Sequence, residues 1–171
     1  MNFKELKKIK IAIVAGGWSS ERSVSINSGK NVFNTLKKYG YKVSFFDLKK
    51  YNLHELFKSK PDLIFNALHG EFGEDGGISC LAKKYNTTIT HSADISSALC
   101  FNKRLLKKFL KNELNLLSPR ELHEIKKIKF PLIAKPNADG SSKGVKIINN
   151  HKELKKLKID QNTLIEEKID G

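Results

Sequence analysis

Sulfur, tryptophan and proline are scarce in this sequence. Its 171 residues hold two cysteines, one methionine, one tryptophan and four prolines. Cys80 and Cys100 are too few for a disulfide framework. Neither lies in a C-x-x-C pair or has a histidine at ligand spacing, which argues against a structural zinc. Both sit among small or apolar neighbours (Ile78-Ser79-Cys80-Leu81, Ala98-Leu99-Cys100-Phe101) and are expected to be buried, reduced thiols. Long apolar runs are missing as well. Runs such as Ile11 to Ala15 fall far short of the ~20 residues that cross a bilayer. No apolar core follows the charges of Met1-Asn2-Phe3-Lys4-Glu5-Leu6, so no secretory signal is visible. The expected setting is cytoplasmic, with no membrane partner.

Acidic residues are the third shortage: 18 Asp+Glu against 32 Lys+Arg give a formal charge of +14. Such an excess invites a nucleic-acid reading. The lysines are nevertheless spread over every presumed helix, as Lys37-Lys38, Lys49-Lys50, Lys83-Lys84, Lys107-Lys108 and Lys155-Lys156. No RNA-binding signature with interleaved aromatics accompanies them. The charge reads as a solvated surface that also attracts anionic nucleotides, and no specific nucleic acid is expected. A catalytically dead, basic nucleic-acid-binding module is the rival, and it predicts steeply salt-dependent binding.

What is present alternates strand and helix. Lys10-Ile11-Ala12-Ile13-Val14-Ala15 is a β-branched apolar run suited to a buried parallel strand. It ends at Gly16-Gly17, after which Ser19 or Ser20 suits a helix cap. Val32, Phe33, Leu36 and Tyr39 form a helical core stripe that Gly40 stops. Further strands are expected over 41–46, 63–68 and 87–90, with helices over 53–58 and 78–85. This spacing predicts a parallel α/β sheet with functional loops at the strands' C-terminal ends. The pattern changes near Ala93, which divides the chain into an α/β unit (1–92) and a second unit (93–171). There Asn102 caps a helix with Leu105, Leu106, Phe109 and Leu110 facing inward. Strands are expected over 130–134, 145–148 and 163–167, and a short helix over 151–157.

Two loops carry chemistry. Ile133-Ala134-Lys135-Pro136 leads through Asn137-Ala138-Asp139-Gly140-Ser141-Ser142-Lys143-Gly144 into Val145-Lys146-Ile147-Ile148. That is strand, flexible loop, strand. A P-loop or Rossmann turn needs a helix after its glycines. Here phosphate contacts would come from loop N–H groups and hydroxyls, with Lys135 as the fixed cation. Such a lid suits nucleotide-dependent phosphoryl transfer, where positioning and charge neutralisation dominate. The second loop is His69-Gly70-Glu71-Phe72-Gly73-Glu74-Asp75-Gly76-Gly77. His69 leaves a strand at the end facing a crevice, where it could donate to a substrate carboxylate, while Glu74 and Asp75 suit a turn and helix start.

His69-Gly70-x-x-Gly73-Glu74-Asp75-Gly76 resembles the first signature of the D-alanine–D-alanine ligases. Gly16-Gly17-x-Ser19-x-Glu21-Arg22-x-Val24-Ser25 is similar to their N-terminal loop. Lys135-Pro136 with Gly140-Ser141-Ser142-x-Gly144 matches their phosphate hairpin within an ATP-grasp fold. The resemblance implies a parallel-sheet N-terminal domain followed by an incomplete central part of an ATP-grasp fold. It implies ATP-dependent joining of two D-alanines through an acyl phosphate, for peptidoglycan precursors. By the same analogy Glu21 holds the first D-alanine's ammonium and His69 lies near its carboxylate. Ser141 orients substrate and the closing elements, so Glu21 and Ser141 are the catalytic candidates. Lys103, Lys135, Ser141 and Ser142 meet the phosphates, and Glu166, Glu167 and Ile169 align with the adenine hinge. Glu166 and Glu167 point to opposite faces of one strand, so only one is expected to face the nucleotide. The implied partners are D-alanine, ATP and Mg2+, with a homodimer as an open option. The metal ligands are expected in a C-terminal half absent from these residues, so this piece alone is expected to be inactive. Asn102 stands where many relatives have aspartate, and Cys80 where they have a small residue. Another ATP-grasp carboxylate–amine ligase is the nearest alternative.

Overall fold

The computed structural model describes residues 3–125 and 127–169, without the side chains of residues 3 and 4. The chain divides into two compact units, residues 1–98 and 99–171. That division falls later than the change of pattern at 93 because the intervening turn is tied to the first unit. Ser79 Oγ donates to Ser92 O at 3.1 Å, and Ser97 N donates to Ala93 O at 2.9 Å.

The first unit has strands β1 (Lys10–Gly16), β2 (Lys42–Leu48), β3 (Leu63–Asn66) and β4 (Thr88–Ile89). All pair in parallel, in the order β2-β1-β3-β4. Between them run α2 (Arg22–Lys38), α3 (Leu53–Lys58) and α4 (Gly77–Lys84), with α1 (Phe3–Leu6) before β1 and α5 (Asp94–Phe101) after β4, ending past the boundary at residue 98. Strand β1 has a neighbour on each side and is buried from Ile11 to Gly16, which is why its apolar run is continuous rather than alternating. Its Ala12 and Val14 pack with Leu48, Leu56, Ile64, Leu68 and Ile78.

Helix α2 meets the sheet through small residues. Its buried positions are Ser25 and Gly29; Val32, Phe33 and Leu36 are half-buried, and Tyr39 is exposed in the C-cap position. A Cβ on Gly29 would lie 2.5 Å from Ala15 Cβ, so a close helix–strand approach replaces the expected apolar stripe. Neither Ser19 nor Ser20 occupies the N-cap position, which Glu21 takes without a side-chain cap. Both cysteines are exposed, against expectation. On α4 the buried face holds Ile78, Ser79 and Ala82; Cys80, about 200° round the helix from Ile78, points away. Apolar neighbours in sequence do not fix which face of a helix a residue occupies, and Cys100 on α5 is exposed for the same reason.

The second unit has α6 (Lys103–Leu114), β5 (Leu132–Pro136), β6 (Lys146–Ile148), α7 (His151–Lys156) and β7 (Thr163–Glu167). Its sheet is antiparallel, in the order β6-β5-β7. Leu132, Ala134, Ile148 and Ile165 fill one face, covered by Leu122, Ile125, Phe130, Leu154 and Leu157. Alternation sends Ile133, Lys135, Leu164 and Glu166 to the other face. Helix α6 departs from expectation: Leu106 and Leu110 are half-buried, but Leu105 and Phe109 are 49% and 39% exposed. The helix engages the unit instead through Arg104 and Lys107, which pair with Glu121 and Glu166. No described helix is long and apolar enough to cross a membrane.

Candidate functional site

Strand β1 leads onward to β2 on one side, and the chain then crosses to β3 on the other. The crevice rule for open α/β sheets therefore points to the C-terminal ends of β1 and β3. Ser25 links those two ends. Its fully buried Oγ accepts from Gly16 N at 2.8 Å and donates to Ala67 O at 2.7 Å. Arg22 fixes the first loop from outside, donating to both Asp47 oxygens at 2.8 Å and to Gly17 O at 3.0 Å. Glu21 is 7% exposed. The loop after β3 passes beside it at Gly70, whose φ of +68° and lack of a side chain permit the approach. A Cβ there would lie 3.0 Å from Ser19 Cβ and 3.9 Å from Glu21 Oε2.

The acids of this second loop hold its shape. Glu74 accepts from Gly70 N at 3.0 Å; Asp75 accepts from Phe72 N and Gly77 N, each at 2.9 Å. His69 touches that scaffolding through one ring nitrogen. Its Nδ1 lies 3.5 Å from Glu74 Oε1, while Nε2 is buried with no hydrogen-bond partner. Trp18 Nε1 is the other such side-chain atom among the described residues. Unpartnered buried polar atoms are rare and costly, so they call for an explanation such as a missing ligand. The first unit thus gathers Glu21 and the His69 loop at one place.

In the second unit, Lys103, Lys135, Ser141 and Ser142 line one cavity of about 370 Å³, together with Ile133, Val145 and the hairpin tip. Strand pairing explains this. Ile133 faces Ile147 and Ala134 faces Lys146, which leaves residues 137–145 as a loop whose tip lines the cavity. Ser141 and Ser142 both have φ of +54°, a left-handed conformation that costs non-glycine residues energy and collects at ligand-binding loops. Asn137 latches the loop's base to the start of α6. It accepts from Lys103 N through its carbonyl and from Arg104 N through Oδ1, and donates Nδ2 to Asn102 Oδ1. Asn102 also caps α6, accepting from Leu105 N at 3.0 Å.

Lys103 Nζ donates to Asp139 O at 2.7 Å, and its pKa is held below the usual lysine value by burial first and by Lys135 second. Lys135 pairs with Glu166, which is only 4% exposed. Two cations therefore share one cavity, an arrangement that favours an anion between them. Glu167 goes elsewhere. It points to the opposite face, accepts from Arg120 at 2.7 Å and 3.0 Å, and lines a different cavity with Arg120, Glu124 and Lys129. Ile169 is 62% exposed and does not line the Lys135 cavity. Among the described residues, no group of three His, Cys, Asp or Glu could hold a metal ion.

Sequence reasoning missed Ser25, Asn137, Arg104, Lys107 and Glu121 as positioning residues. Ser25 and Asn137 had a signal, since each sits inside or beside a motif. Lys107 had none, because it reads like the surface lysines around it.

Residues 104–171 match the family model described as the D-ala D-ala ligase C-terminus. The chain is 41% identical to the D-alanine–D-alanine ligase of Pelagibacter ubique over 178 aligned residues, covering 95% of this chain and 58% of that relative. The chain is similar to D-alanine–D-alanine ligases over 95% of its length. A solved D-alanine–D-alanine ligase from Bacillus anthracis agrees, with TM-score 0.79 and 32% identity over 95% of this chain and 58% of that one. The same ligase complexed with ATP gives TM-score 0.77 and 31% identity over 95% of this chain and 60% of that one. The mixed α/β architecture is thus shared with the matching part of these solved ligases. The chain spans somewhat more than half the length of these ligases. The family model includes Lys135, Ser141, Ser142, Glu166, Glu167 and Ile169 and begins one residue after Lys103. Glu21 and His69 lie outside it, within the span matched by the whole-length ligases.

Proposed function

We propose that this chain supplies the amino-acid and nucleotide-phosphate subsites of an ATP-dependent D-alanine–D-alanine ligase serving peptidoglycan precursor synthesis in the cytoplasm. The observation that carries the reading is the convergence of Lys103 and Lys135 on the hairpin cavity, in a chain so similar to known ligases. A carboxylate is a poor electrophile until one of its oxygens becomes a good leaving group; ATP supplies the phosphoryl group that makes an acyl phosphate of it. Lys103 and Lys135 offset phosphate charge, and the 137–145 loop excludes water and so strengthens those contacts. Loop N–H groups near Ser142 add donors, and Ser141 orients the substrate. In the first unit Glu21 receives an ammonium. His69 Nε2 is buried without a partner, which leaves it for the bound amino acid. Glu166, Glu167 and Ile169 form the approach to the adenine, Glu167 through its backbone because its side chain is held by Arg120.

The described residues do not form a metal site, so no step is assigned to Mg2+ on this chain. The test is a chimera in which this chain replaces the matching portion of the Pelagibacter ubique ligase. Supplied with D-alanine, ATP and Mg2+, it should form D-alanyl-D-alanine and release phosphate, whereas the 171-residue chain alone should do neither. Preference for another amino acid in a substrate screen would redirect the reading to a different carboxylate–amine ligase. Phosphate release by the chain alone would refute the division of labour.

A further inference from the structure

Glu166 is nearly sealed from solvent and carries two lysines. Lys135, from β5, pairs with Oε1; Lys107, from α6, donates to Oε2 at 3.0 Å. The Lys107 side chain is 14% exposed, unlike the lysines along the rest of the chain surface, such as Lys83 and Lys111 at 75% and 73%. Lys107 also lies 4.0 Å from Glu121, which Arg104 holds at 3.1 Å and His123 approaches at 3.7 Å. Glu121 is bridged to Glu166 through the backbone, and Lys103 is near enough for Glu166 to act on its charge. Glu166 therefore faces Lys135, Lys107 and Lys103, with Glu121 and Arg104 behind.

A phosphate in the hairpin cavity competes with Glu166 for Lys135. Whatever Lys135 gives to phosphate it withdraws from a buried carboxylate, and a buried carboxylate stripped of its partner is strongly disfavoured. We propose that Lys107 is the positioning residue that keeps Glu166 paired while Lys135 turns to the nucleotide phosphate. This rests on the nucleotide reading of the cavity. It assigns to α6 the task of making Lys135 available, which neither the motif around Lys135 nor the hairpin loop could do alone. Glu121 and Arg104 hold Lys107 in register.

The charge arithmetic gives a signature that a merely structural lysine would not produce. Without Lys107, Glu166 loses its remaining close partner when Lys135 turns to phosphate, and a buried carboxylate left that way opposes phosphate binding. ATP binding to the Lys107→Met chain should therefore be weaker by about tenfold or more at pH ~8. Lys107→Arg, which keeps the cation, should bind ATP as the unmodified chain does. Measured against Glu166→Gln alone, which has no carboxylate to satisfy, adding Lys107→Met should change ATP affinity by less than about twofold, and circular dichroism of each variant checks its folding. If Lys107→Met does not fold, Lys107→Gln takes its place in the same comparison. ATP binding by Lys107→Met with the affinity of the unmodified chain would overturn this proposal and leave the nucleotide reading standing. Failure of the unmodified chain to bind ATP would overturn both.

Discussion

Removing one oxygen atom at position 25 should loosen the first unit more than its size implies. Ser25→Ala deletes the hydroxyl that joins Gly16 N to Ala67 O across the ends of β1 and β3. Alanine leaves little void, so the cost is the two stranded backbone groups. Each buried group left unsatisfied costs about 1–3 kcal/mol, and partial relaxation brings the pair to about 2–4 kcal/mol. With a urea slope of about 1–3 kcal/mol/M, the midpoint should fall by roughly 1–2 M. Trp18 is the only tryptophan and lies in the first unit, its ring tilted against Phe72 with centroids 4.8 Å apart, so its fluorescence reports that unit selectively. The same variant should weaken amino-acid binding, because both loops that flank Glu21 start from the bonds it loses. Ser25→Thr keeps the hydroxyl and tests whether the space or the bond matters. A midpoint within about 0.3 M of the parent for Ser25→Ala would refute the reasoning, since stranding the two backbone groups would then cost far less than a buried, unpaired donor and acceptor should.

Other consequences can be checked alongside. Gly29→Val should destabilise the first unit by about 1–3 kcal/mol through overpacking against Ala15 and Phe45, read by the same fluorescence transition. Lys103 has a depressed pKa, so the folded state sheds that proton before the unfolded state does. Its contribution to stability should therefore rise as pH increases through the folded pKa toward the unfolded value, in parallel unfolding curves of the parent and Lys103→Met. Bound phosphate opposes that depression, so ATP binding at alkaline pH should take up protons, and Lys103→Met should abolish that uptake. Glu124 and Glu167 have lowered pKa values, the first from accepting the Glu121 N–H and the second from Arg120. Their support is present at neutral pH and lost as pH falls through those lowered values, so hydrogen exchange in β7 should accelerate there, and less so in Arg120→Met.

The strand–helix alternation was legible because it depends on short-range pattern. The run Ile11 to Ala15 became the buried β1, and Lys135-Pro136 through Ile148 became an antiparallel hairpin. The sheet's parallel pairing followed from spacing alone. Burial at single helical positions was harder to read. Gly29 and Ser25 are core residues of α2 that hydropathy ranks as neutral or polar, while Leu105 and Phe109 of α6 are apolar yet exposed. Lys107 is the sharpest case. It sits beside Lys108 in a lysine-rich helix, and only the three-dimensional position of Glu166, 59 residues later, removes it from the surface. At the site, Lys135, Lys103 and the two serines came from motif reading and line one cavity. The separation of Glu167 from them follows from strand alternation, but its Arg120 partner does not.

Everything proposed for the second unit depends on whether the Lys135 cavity binds nucleotide phosphate. Calorimetric titration of the chain with ATP and Mg2+, beside Lys135→Ala of matched circular dichroism, measures this directly. Binding by the parent that weakens by about tenfold or more in Lys135→Ala is the predicted result. Equal affinity in the two proteins would contradict it.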